Sequence, residues 1–233
     1  MPNLQTDSAF LFHQQKIIKS NIFILLFFSL LIHQKVDASH LVGGEIRWVC
    51  LEGSGKYVFY MDIYRECTGT TFSFTNQSLQ ILNSSLPAIA MKPDYATYNR
   101  YGGGNISPMG PSGCQKECSN GGGNSDLGAT QVFPFVSDPV SLTGVPPSSG
   151  WVFHWSLCCR PSSVDNLTNS SSQGFGLRAI MYPFEGKNAS TCYDSSPRFE
   201  ELPAILICKG YEFIFNHNAY DTDLDSLVFR WAK

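Results

Sequence analysis

The fold class of this chain is decided by residues 43–67, which read GGEIRWVCLEGSGKYVFYMDIYREC. Apolar side chains or a cysteine stand at every second position from Ile46 to Cys50 and again from Tyr57 to Ile63. This period of two is typical of β-strands that bury one face. Ser54-Gly55 between the two runs suits a two-residue turn, because glycine supplies the positive φ that such turns need. The stretch therefore predicts a β-hairpin.

A turn at Ser54-Gly55 also predicts the register of the hairpin, with its apolar side chains on one face. The expected cross-strand pairs are Ile46 with Ile63, Trp48 with Met61, and Cys50 with Phe59. This register leaves Cys50 near the turn and Cys67 beyond the open end, some 25 Å apart at about 3.3 Å per strand residue. A disulfide needs a Cα separation of about 5.5 Å. We therefore expect no bond between Cys50 and Cys67.

Residues 1–38 have the features of a secretory signal peptide. Lys16 and Lys19 precede an apolar run at 22–32, and small residues lie at the expected cleavage position, after Ala38. A membrane anchor is the alternative, but a spanning helix needs about 20 apolar residues and this run is shorter. We expect cleavage after Ala38, export through the periplasm, and no membrane span in the mature chain.

All the cysteines follow the predicted signal peptide, which places the mature chain in an oxidising compartment. Cys114 and Cys118 either bridge each other, which we favour slightly, or tether to separate strands. Cys158 and Cys159 are adjacent on a predicted strand and point to opposite faces, so we expect no bond between them. The disulfide candidates are Cys50, Cys67, Cys114, Cys118, Cys158, Cys159, Cys192 and Cys208.

Composition excludes several classes of function. Three lysines and two aspartates lie in residues 1–38, so 13 basic residues face 17 acidic ones in the mature chain, and no basic stripe suggests a nucleic-acid partner. The sequence lacks G-x-S-x-G, H-E-x-x-H and phosphate-loop motifs, and we expect a protein that is not an enzyme. Short apolar runs separated by Gly, Pro, Ser and Asn are typical of an all-β extracellular protein.

Three more strands are predicted within residues 39–195, at 77–82, 151–159 and 174–182, and together they indicate a disulfide-containing β-sandwich. Trp151, Phe153, Trp155 and Leu157 alternate along one strand and share a face. We interpret this aromatic row as packing inside the sandwich. The alternative is a carbohydrate-binding module that uses exposed tryptophans as a stacking platform, with Trp48, Trp151 and Trp155 as its candidates.

Residues 197–233 predict the first strands of a second, incomplete immunoglobulin-like domain, joined through a Pro-containing linker at 194–203. Short apolar runs occur at 204–208, 211–216 and 226–231, but such domains need about 100 residues. Asp221, Asp223 and Asp225 alternate between two of these runs. Carboxylate oxygens suit Ca²⁺, so the three aspartates are either a calcium site or a solvated acidic turn. No other cofactor is expected.

Four motifs give the chain a family resemblance. They are SHLVGGEI at 39–46, IYREC at 63–67, WSLCCR at 155–160 and the stretch 211–229. Together they resemble the amino-terminal module of large exported surface proteins of gliding-type bacteria. Such proteins continue into polycystic-kidney-disease-like (PKD-like) or cadherin-like repeats and end in a gliding-motility-type sorting domain of the type IX secretion system. The resemblance implies that the chain is truncated.

The acidic segment departs from the pattern of this family, which resembles D-P-D-G-D-S-L. Thr222 and Leu224 here replace its Pro and Gly. The sequence thus predicts a non-catalytic structural or adhesive module, secreted or displayed on the cell surface. The resemblance implies further repeats of the same polypeptide as partners. Surface polysaccharide and other surface proteins are the remaining candidates.

Overall fold

An antiparallel β-sheet forms the body of the chain. The computed structural model describes residues 40–69, 72–107, 118, 128–158, 160, 167–184, 192, 194–203, 212, 214, 216 and 218–230. The predicted signal peptide, Cys114, Cys159 and Cys208 lie outside the described residues. All described residues belong to one compact unit, Ala38–Lys233. Within them, no helix is long and apolar enough to cross a membrane.

Within the described residues, seven strands form one sheet in the order β1-β2-β5-β4-β3-β6-β7. Two short strands, β8 and β9, form a separate two-stranded sheet. The predicted all-β class with disulfides is confirmed, whereas the sandwich form and the incomplete immunoglobulin-like domain stay predictions. The elements are β1 Leu41–Leu51, β2 Lys56–Glu66, β3 Gln77–Leu82, β4 Ile89–Pro93, helix α1 Tyr95–Arg100, β5 Thr130–Ser137, β6 Trp151–Cys158, a 3₁₀ turn Ser170–Ser172, β7 Gly174–Met181, β8 Arg198–Phe199 and β9 Ala219–Tyr220.

The β1-β2 hairpin forms in the predicted place, but its predicted register was wrong by two residues. Trp48 lies opposite Phe59, because residues 52–55 form a four-residue turn instead of a two-residue one. Ser54 closes this turn, since its Oγ donates to the Leu51 carbonyl oxygen at 2.8 Å. A shift of two residues leaves every side chain on its own face of the sheet. The buried face was therefore predicted correctly.

Strand β3 connects the two halves of the sheet. Its first half pairs with β4 and its second half with β6, so that β6 and β7 fold over β1 and β2. The Phe153 ring of β6 lies 4.6 Å from the Phe59 ring of β2. A Cβ on Gly44 would lie 2.6 Å from the Asp62 carbonyl oxygen of β2 and 2.8 Å from the Leu177 side chain of β7, so glycine permits this close packing of β1. The buried core includes residues from β1, β2, β6 and β7.

Two disulfides link distant parts of the chain. Cys50 of β1 bonds to Cys192, and Cys67, just after β2, bonds to Cys118. The expected absence of a Cys50–Cys67 bond is therefore confirmed. The favoured Cys114–Cys118 bridge was wrong, because Cys118 is tethered to the end of a strand, as the alternative had it. Cys158 also forms a disulfide, whose partner lies outside the described residues. Cys159 lies outside them too, so the expected absence of a Cys158–Cys159 bond stays a prediction.

The predicted strand positions agree closely with the structure in the first 195 residues. The strand at 77–82 is confirmed, and those at 151–159 and 174–182 are shorter by a residue in the described chain. The predicted strand at 226–231 is not present in its described part, because residues 226–230 have no regular structure. The runs at 204–208 and 211–216 lie almost wholly outside the described residues.

Candidate functional site

The three tryptophans proposed as a stacking platform are core residues. Trp48, Trp151 and Trp155 expose only 5%, 3% and 4% of their surface. Trp48 packs against the Phe153 ring at 5.6 Å, and the Trp155 indole N–H donates to Gln77 Oε1 at 3.2 Å. A sugar needs an exposed ring face, so the platform interpretation of these residues was wrong. The preferred interpretation, inward packing, is confirmed for all three.

The aspartates at 221–225 form a tight turn. Asp221 is buried, and its Oδ1 accepts hydrogen bonds from the backbone N–H groups of Asp223 at 2.8 Å and Asp225 at 3.3 Å. Asp and Asn favour such turns because their side chains reach the backbone two residues on. Asp223 Oδ2 accepts from the Ser195 backbone N–H at 2.6 Å. Two of the three carboxylates are thus used to hold the backbone.

The segment that receives Asp223 is itself fixed to the free edge of β1. The Ser196 N–H donates to the Trp48 carbonyl oxygen at 3.0 Å, and the Trp48 N–H donates to Ser196 Oγ at 2.8 Å. The Cys50 N–H donates to Ser195 Oγ at 3.2 Å, and the Cys50–Cys192 disulfide lies beside these bonds. The predicted linker is therefore bound to the sheet at its start, whereas residues 197–203 are exposed.

These contacts enclose an acidic cleft of about 410 Å³. Its walls carry aromatic and acidic side chains, among them Trp48, Tyr182, Phe184, Asp194, Asp221 and Asp225. Burial and, to a smaller extent, repulsion from the neighbouring Asp223, Asp225 and Asp221 together raise the pKa of Asp194 to about 6. The cleft therefore has a negative potential that attracts cations.

Asp194 is the functional-site candidate that the sequence did not indicate. It lies 27 residues before Asp221, outside the alternating acidic pattern, and the Ser195–Asp223 hydrogen bond and the β8-β9 pairing bring the two segments together. The signal that could have found it is Asp194-Ser195-Ser196 itself. A carboxylate followed by two hydroxyls offers several groups that can bond to a strand edge or a turn.

Within the described residues, Asp221, Asp223 and Asp225 do not come together as a calcium site. There, no three His, Cys, Asp or Glu side chains come together in a way that could hold a metal ion. Ca²⁺ takes six to eight oxygens, and here two of the three carboxylates accept backbone hydrogen bonds instead. Calcium binding stays a prediction, and the structure shows the three aspartates as a backbone-holding acidic turn.

Comparisons with known proteins give no relative for this fold or cleft. No family model matches the chain, and neither does any curated protein or solved structure. The resemblance to exported surface proteins of gliding-type bacteria therefore rests on the sequence motifs alone.

Proposed function

We propose that the chain is a non-catalytic structural or adhesive module of a larger exported protein, secreted or held at the cell surface. The observation that carries this proposal is the covalent bracing of an all-β body. The Cys50–Cys192 bond joins residues 142 positions apart, and the Cys67–Cys118 bond spans 51 positions. Disulfides persist in oxidising compartments, so they favour an extracellular setting.

The way the polar side chains are used supports a mechanical role. Gln131 on β5 accepts a hydrogen bond from Arg65 at 3.1 Å and donates to the Tyr98 hydroxyl at 2.8 Å. Asp223 and Ser196 bind the backbone of other segments in the same manner. These groups join strands, helix and loops, and such bonds rigidify a body that presents surfaces to a partner.

The contact surface that fits this role best is the acidic cleft beside β1. Tyr182 on its rim is 59% exposed and Phe184 is 50% exposed, and both lie next to three aspartates. Aromatic faces with nearby carboxylates suit contact with positively charged or amphipathic surface groups. The partner would be surface polysaccharide or another surface protein.

A retention assay tests the proposal. The full chain, purified without reductant and coupled to beads, should retain surface polysaccharide or surface proteins extracted from the producing cells. The same extract should show no product release when it is incubated with the free protein. Reduced and alkylated protein is the matched control, because it keeps the sequence and loses the bracing.

Two results would contradict the proposal. Release of reducing ends or peptides from the extract by the intact protein would indicate turnover instead of contact. Equal retention by the intact and the reduced protein would show that the braced fold is not what binds. Export is tested separately by fusing the chain to alkaline phosphatase, which is active only in an oxidising compartment, with residues 1–38 removed in the control.

A further inference from the structure

Two carboxyl groups face each other across the β1-β2 pair, on the side of the sheet away from the core. Glu45 of β1 and Asp62 of β2 are direct cross-strand partners. This pairing places the two carboxyl groups side by side on one face of the sheet, and the Tyr64 hydroxyl donates to Glu45 Oε1 at 3.2 Å. Two adjacent carboxylates repel each other, so the pair is more stable when one of the two groups carries a proton.

The surroundings supply one positive charge for this pair. Arg47 Nη2 lies 4.0 Å from Asp62 Oδ2, and its guanidinium stacks on the Tyr60 ring at 4.2 Å. The Asp62 side chain is only 16% exposed. With one shared proton, Arg47 balances the pair; with none, two carboxylates share one cation in a poorly solvated place.

No other neighbouring element in the described chain brings a second cation to Asp62. Strand β5 places Pro134 opposite it, and Val132 and Val136 on the same face are uncharged. Asp94, whose backbone N–H donates to the Pro134 carbonyl oxygen, adds negative charge. Its carboxylate caps helix α1 by accepting from the Thr97 N–H at 3.1 Å. The charges around the pair therefore favour keeping the proton.

We propose that Glu45, Asp62 and Arg47 form a proton-dependent latch between β1 and β2, which holds the amino-terminal half of β1 in place at acid pH and weakens it at alkaline pH. This inference is independent of the proposed function. It concerns the half of β1 that has no covalent anchor, since the Cys50–Cys192 bond and the Ser196 contacts hold the other half.

The direction of the effect follows from the proton balance. The pKa of Asp62 is raised to about 7, mainly by burial; Arg47 opposes this rise, and the charges of Glu45 and Asp94 add to it. Burial also raises the pKa of Glu45. The folded pair thus binds a proton that the unfolded chain has lost. Stability of the latch is present below the ordinary aspartate pKa and is lost as the pH rises through about 7.

Hydrogen exchange measured as protection factors tests the latch, because these factors remove the intrinsic pH dependence of exchange. In the oxidised full chain, protection of residues 43–47 should fall by about tenfold or more between about pH 5 and about pH 9, since one pKa unit corresponds to a tenfold change. Strand β6, in the other half of the sheet, is the internal control and should change far less.

Two variants of the pair and one control variant decide the outcome. Asp62→Asn gives the pair a permanent donor, so the protection of 43–47 should become nearly independent of pH, and Glu45→Gln should have the same effect if the first variant does not fold. Asp138→Asn, which removes the exposed Lys92–Asp138 ion pair of the same sheet, should keep the wild-type dependence. A pH-independent wild type, or variants that keep its pH dependence, would overturn the proposal.

Discussion

Removal of the Cys50–Cys192 bond should destabilise the whole chain and release one specific segment. The perturbation is the double variant Cys50→Ala/Cys192→Ala. The bond closes a loop of 142 residues, and the loop-closure relation gives about 5 kcal/mol for a loop of that length. Because measured losses for native disulfides are about 2 to 5 kcal/mol, we treat the higher figure as an upper bound.

The local effect follows from what remains at the edge of β1. Without the bond, residues 194–197 are held by the Ser196 and Ser195 hydrogen bonds to Trp48 and Cys50. Each such bond contributes about 0.5 to 1.5 kcal/mol. The segment should therefore open more often than the sheet unfolds, and proteases should cut it first.

Urea unfolding without reductant measures the global loss, and limited proteolysis with mass spectrometry measures the local one. The matched control is Cys67→Ala/Cys118→Ala, whose loop of 51 residues corresponds to about 4 kcal/mol. Both variants should melt lower by several degrees, at about 2 to 4 °C per kcal/mol for a chain of this size. Only the first should be cut faster at 194–203.

Two results would contradict this role of the Cys50–Cys192 bond. A Cys50→Ala/Cys192→Ala variant within about 1 kcal/mol of the wild type would mean that loop closure contributes little here. Equal cleavage rates at 194–203 in both variants would mean that the bond does not hold this segment against β1.

Three further changes test other parts of the fold. Phe59→Ala should lower the free energy of unfolding by about 3 to 5 kcal/mol in urea, because its ring is fully buried against Phe153, while exposed Leu82→Ala should have little effect. Asp194→Asn should raise the free energy of unfolding by about 1 kcal/mol at about pH 8. It should leave it unchanged at about pH 3, where the carboxyl group is neutral in the folded and the unfolded chain. Thermal unfolding at both pH values measures the two effects, and equal effects would contradict the prediction. Asp221→Ala should speed proteolysis at 219–226 because it removes the acceptor of the turn. Asp221→Asn keeps an acceptor oxygen and should be cut at the wild-type rate in the absence of Ca²⁺.

The sequence was sufficient for the features that depend on local period. Alternation from Ile46 to Cys50 and from Tyr57 to Ile63 predicted which face of the hairpin is buried, and that face is correct. The same pattern could not distinguish registers that differ by two residues, because both keep the apolar side chains together. The turn decided between them, through a Ser54 hydrogen bond that the alternation does not encode.

The disulfide partners and the cleft depend on which distant segments meet, and the sequence did not contain that information. Eight cysteines allow 105 pairings, and geometry could remove only those within a known hairpin. Asp194 approaches the aspartate turn because Ser195 and Ser196 bind the edge of β1. That contact requires the strand order of the sheet, in which β1 is an edge with free backbone groups.

Strand β1 is held by two different kinds of chemistry along its length. Its carboxyl-terminal half has the Cys50 disulfide and the Ser196 bonds, which respond to reductant. Its amino-terminal half has the Glu45–Asp62 pair, which responds to protons. An edge strand must be protected against pairing with other chains, and losing either attachment exposes only part of it. Reductant and alkali should therefore open different halves of β1, and opening of both halves by either agent alone would show that the strand responds as one unit.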